Sequence, residues 1–160
     1  MIKILKNQLF KHINMLQKSL IFESEEFLKK NLLVLLVIDR DSGKLLYNFI
    51  RDDFFDPDII AGFLTAIQGF SNEIISKGSP IEEISYKDFQ IKFEDAEYTR
   101  IVAIFLKNPN NSISPVVSNK MKDFITQFEL KYSEKLCDWK GNLDNFIEAD
   151  NIVQEIFFNS

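Results

Sequence analysis

The seven-residue apolar run LLVLLVI, residues 32–38, constrains the fold of this chain most. It is far shorter than the ~20 residues a membrane-spanning helix needs. It leads directly into DRDSG and a second apolar stretch, KLLYNFI, at 44–50. An apolar run bounded by turn residues reads as a strand buried on both faces. Asp and Ser in DRDSG can hydrogen-bond their own backbone and Gly43 can take positive φ, so residues 32–39 and 44–50 are expected to form a β-hairpin.

The periodicity on either side is helical. Ile2, Leu5, Leu9, Ile13, Leu16 and Leu20 share one helical face, with Lys3, Lys11 and Lys18 largely opposite. This predicts a helix over about 3–20, followed by a second short turn begun at Ser24, whose hydroxyl can accept an orphan backbone N–H. After DDFFDP, Asp56 can cap and Pro57 suits the first helical position, so a second helix is expected to run to about Ser76. Its stripe of Ile59, Ile60, Phe63, Leu64, Ile67 and later residues is flanked by a ridge of Gly62, Ala66 and Gly69. Interior glycines cost about 0.5–1 kcal/mol each. Close approach of this ridge to a sheet is the expected compensation.

Beyond Pro80 the period becomes two. Residues 81–86, 88–94 and 98–106 are expected strands. Phe89, Ile91 and Phe93 face one way, while Gln90 and Lys92 face a solvated side. KNPNNSISP is a loop. A long helix then carries Val117, Met121, Phe124, Phe128, Tyr132, Lys135 and Trp139 at threes and fours, and Gly141 is placed to end it. Asn142 is expected to cap a last helix lined by Phe146, Ala149, Ile152, Val153, Ile156 and Phe157.

The resulting fold class is α+β: a five-stranded antiparallel sheet with helices in the order α-β-β-α-β-β-β-α-α. Residues 1–30 read as an N-terminal amphipathic helical extension and 31–160 as the domain. At 160 residues, 46% hydrophobic and with 16 phenylalanines, the chain is a single ordinary domain with a substantial core.

Chemistry is scarce. Zinc sites need several close Cys, His or acidic ligands, whereas His12 and Cys137 stand alone. His12 is expected at the surface and Cys137 half-buried and inert. A lone cysteine fits a reducing compartment, and no cleavable signal is visible in the first twenty residues. Neither GxxxxGK[ST] nor GxGxxG occurs, and DRDSG lacks the later ligands of a calcium loop. The aspartates of DDFFDPD are explained by the helix dipole and EDAE at 94–97 by a solvated turn. Catalytic, cofactor and metal residues are therefore assigned as none. The net charge of −5, with only three arginines, excludes nucleic acid as the expected ligand.

Two passages carry a resemblance: LVLLVIDRDSGKLLYNF leading to IIAGFLTAIQGFSNEI, and MKDFITQFELKYSEKLCDWKGNLDNF passing into the last helix. From about Leu32 to Phe158 they resemble the longin-like fold of trafficking proteins, a relative of the roadblock fold, including versions from archaea rich in small GTPases. The two terminal helices suit longin; the leading helix suits roadblock. The resemblance implies a cytoplasmic, non-enzymatic adaptor or regulator with a protein partner, either a small GTPase or a trafficking-complex subunit. A roadblock-like homodimeric platform is the alternative. It also implies a partner groove around Ile60, Phe63, Leu64, Ile67, Ile81 and Ile84. The basic first helix, with Lys3, Lys11 and Lys18, is expected to pack on the domain, where it can fill that groove in cis, or to pair with a partner or a second copy; contact with an anionic membrane surface is the other reading.

Overall fold

The computed structural model describes residues 1–51, 56–74, 81–137 and 146–158. Among them run α1 (Ile2–Asn31), β1 (Leu32–Asp39), β2 (Leu45–Ile50), α2 (Pro57–Ile74), β3 (Glu83–Tyr86), β4 (Phe89–Asp95), β5 (Thr99–Leu106), α3 (Ser114–Cys137) and α4 (Ala149–Val153). The last helix continues as a π-helical turn over Gln154–Phe158. The strands form one antiparallel sheet in the order β2-β1-β5-β4-β3. This is the expected fold class, and its topology matches that of roadblock and longin modules.

The hairpin is built as its residues dictate. Gly43 sits at φ +71°, and the Asp39 carboxylate accepts hydrogen bonds from the Ser42 backbone N–H (2.9 Å) and hydroxyl (2.6 Å). Asp56 caps α2, its Oδ1 accepting from the N–H groups of Asp58 and Ile59 at 3.0 and 3.3 Å.

Burial on both faces of β1 and β5 follows from helices covering the sheet on two sides. Val34, Leu36, Ile38, Val102 and Ile104 pack with Ala61 and Leu64 of α2. Leu35, Val37, Ile101, Ala103 and Phe105 pack with Val117, Met121, Phe124 and Phe128 of α3 and with Ala149 and Val153 of α4. Period-two strands thus split one core into two, with the sheet as the middle layer. The aromatic spacing of α3 is realised as a run of ring contacts: Phe124 to Phe128 at 5.9 Å, Phe128 to Tyr132 at 4.8 Å and Phe128 to Phe146 at 5.6 Å.

Three expectations are corrected. The face of β4 carrying Gln90 and Lys92 is not a free solvated side, because α3 crosses it: Lys92 donates to Ser114 Oγ at 2.8 Å and Ser118 to Glu94 at 2.6 Å. Lys135 is exposed, leaning over the Tyr132 ring at 5.6 Å, and Leu136 takes the buried position beside it. The first helix does not stop near residue 20 and restart at Ser24. It runs unbroken to Asn31, with Ser24 buried inside it. Neither Gly nor Pro occurs in residues 1–31, so nothing in the backbone obliges the helix to end before the strand begins.

The α1–β1 junction has no loop. Leu32 takes extended geometry at φ −71°, ψ 119°. Arg51 braces the joint: its Nε donates to the Leu32 carbonyl at 2.7 Å, its terminal nitrogen donates to the Lys29 carbonyl, and its guanidinium lies 5.6 Å from the Phe158 ring. The expected ends at Trp139, Gly141 and Asn142, and the stretch 52–55, lie outside the described residues.

Candidate functional site: an apolar groove beside the second helix

Helix α2 lies over β1 and β2, so among the described residues the same face of β4 and β3, two strands further along, keeps an uncovered strip. In that strip Ile84 pairs with Ile91, Tyr86 with Phe89, and Ile91 with Ile104. All five side chains project toward the α2 side, where Phe63, Leu64 and Ile67 form the opposite wall. The result is a groove of about 470 Å³ with eight apolar or aromatic lining residues. Leu64 and Ile104 are its buried floor, whereas Phe63 and Tyr86 stand about 60% exposed at the rim.

Four of the six expected groove residues, Phe63, Leu64, Ile67 and Ile84, line this cavity together. Ile60 and Ile81 pack against the same core cluster without lining it. Tyr86, Phe89, Ile91 and Ile104 complete the walls and were not expected there. Their signal was the shared strand parity, which places them on one sheet face but does not say which part of that face a helix leaves bare.

The small-residue ridge is corrected. Gly62, Ala66 and Gly69 are exposed, and a Cβ added at Gly62 or Gly69 would meet nothing within 4 Å. The ridge faces away from the sheet. Ala61 makes the close contact instead, buried at 2% exposure.

The remaining candidates are scattered. Lys3, Lys11, Lys18 and His12 are exposed along α1, remote in sequence from any groove residue. Cys137 is exposed rather than half-buried, and its thiol donates to the Tyr98 hydroxyl at 3.4 Å. Among the described residues no three His, Cys, Asp or Glu side chains are grouped to hold a metal ion, and no helix is long and apolar enough to cross a membrane. Of the eight residues that line the groove only Tyr86 carries a titratable group, and so apolar a lining suits an apolar surface.

No protein-family model matches the chain, and no curated protein matches it. The likeness to roadblock and longin modules accordingly rests on topology. A general protein-interaction role is consistent with it.

Proposed function

We propose that this chain is a non-enzymatic adaptor or regulator, acting in the cytoplasm, that receives a protein partner in the groove between α2 and the β3–β4 edge. The partner class is a small GTPase or a subunit of trafficking machinery. One observation carries the reading: a groove of eight apolar side chains, open at the rim through Phe63 and Tyr86, on a fold of roadblock and longin topology. Fold analogy supports the partner class, and the apolar lining of the groove supports its use as the contact surface.

The test is affinity capture with the full chain in GDP or in a non-hydrolysable GTP analogue, run beside Phe63→Glu. Retention of a small GTPase in one nucleotide condition, lost in Phe63→Glu, supports a regulator or effector. Equal retention of coat or tether subunits, again lost in the variant, supports a structural adaptor. Retention unaffected by the variant removes the groove from the account.

The leading helix supports the alternatives. A roadblock-like homodimeric platform for GTPases is one. Contact with an anionic membrane is the other, favoured by Lys3, Lys6, Lys11 and Lys18 in a segment of 22 residues with no acid.

A further inference from the structure

Every large hydrophobic side chain among the first 22 residues is exposed. Ile2, Leu5, Leu9, Ile13, Leu16 and Leu20 form a stripe whose members are 43–71% exposed. Ordinary monomers leave apolar patches of about 300–600 Å² at most, and a helix without tertiary packing is marginal in water. The overhang of α1 therefore calls for an occupant.

The stripe has a period of eleven. Ile2, Leu5 and Leu9 recur as Ile13, Leu16 and Leu20, and again as Ser24, Phe27 and Asn31. Eleven residues close three turns at about 3.7 per turn, so such a stripe runs nearly straight along the helix. Its third repeat is already occupied: Ser24 is buried and Phe27 packs on the domain core. The two bare repeats consequently look to the same side as the body of the domain. A flat bilayer pressed on that side would meet the body, whereas a slender helix can lie alongside.

Charge selects the helix. Residues 1–22 carry four lysines and no acid, and Glu23 and Glu25 follow at once. We propose that the bare stripe of α1 pairs antiparallel with the same stripe of a second copy, about a two-fold axis beside His12 and Ile13. Leu5 then meets Leu20 and Leu9 meets Leu16. The cationic first turn with Lys3 comes to the level of the other copy's Glu23, and the two helix dipoles oppose. A parallel pair would instead bring lysine level with lysine. The pairing is independent of the groove, which remains open in each copy.

The experiment is sedimentation equilibrium of the full chain at physiological salt. The expected result is twice the 18.7 kDa chain mass, and Leu9→Glu with Leu16→Glu should give a monomer. Unchanged thermal unfolding of that variant, measured at one low concentration, shows that the domain is still folded. In a Cys137→Ser background, Leu5→Cys is expected to form an interchain disulfide with Leu20→Cys and not with itself. A monomeric wild type at 100 µM overturns the proposal, as does a dimer that survives the paired glutamates. Self-crosslinking of Leu5→Cys overturns the antiparallel arrangement. A monomer that binds phosphatidylserine–phosphatidylcholine vesicles, with binding lost in the glutamate variant, assigns the stripe to lipid instead.

Discussion

Tyr47 on β2 donates its phenolic hydrogen to the carboxylate of Asp150 on α4, joining two residues 103 positions apart. The bond fastens the sheet's edge strand to the C-terminal helix. Burial, and then Asp150, raises the Tyr47 phenol above its ordinary value of 10. Below about pH 10 both folded and unfolded chains hold the proton, and the contribution to stability is complete. Above it the unfolded chain releases the proton first and binds fewer protons than the folded one, so stability falls as pH rises. The urea midpoint should drop between about pH 9.5 and 11, and less steeply in Tyr47→Phe.

The floor and the rim of the groove separate stability from binding. Leu64→Ala removes a buried floor residue and should cost about 2–5 kcal/mol by chemical denaturation. Phe63→Glu alters an exposed rim position and should shift stability by no more than about 0.5 kcal/mol. The same Phe63→Glu should abolish partner capture.

Glu129 holds the start of β5. Its Oε1 accepts from the backbone N–H groups of Tyr98 (3.0 Å) and Thr99 (3.1 Å) and from the Thr99 hydroxyl at 2.7 Å. Thr99 is fully buried. Glu129→Ala strands those donors and should cost about 1–3 kcal/mol. Glu129→Gln, which keeps an acceptor oxygen, should recover most of that loss in the same urea titration.

Gly62 and Gly43 should respond in opposite directions to alanine. Gly62 lies in a helix with open space where a Cβ would go, so Gly62→Ala should stabilise by about 0.5–1 kcal/mol. Gly43 has φ +71°, and its added Cβ would come within 2.6 Å of Thr65 Cγ2. Gly43→Ala should lower the thermal midpoint.

The strands were legible because β-period alternation and turn chemistry agree. Residues 32–39 contain no breaker, Gly43 ends the turn that follows, and the seven buried positions of α3 from Val117 to Leu136 sit at helical spacing. The reading failed where one residue type serves two purposes. Ser24 can begin a helix or sit buried within one, and only the packing of Leu28 beside it decides. Gly62, Ala66 and Gly69 lie at the margin of the α2 stripe, where spacing alone does not distinguish close contact from solvent. Half the groove was invisible for another reason. Phe89 and Ile91 share a face with Phe93, yet only the strand order shows that α2 sits over β1 and β2 and, among the described residues, leaves the Phe89–Ile91 end of β4 uncovered.

The joint between Asn31 and Leu32, braced by Arg51, turns α1 into a handle on the central sheet rather than a tether. A helix of 30 residues reaches about 45 Å at 1.5 Å per residue. With no flexible segment at its root, its heading is set by β1. Any body gripping the far end also acquires a bearing on the sheet, and a sideways load there would be felt as torque on the strand at the middle of the core.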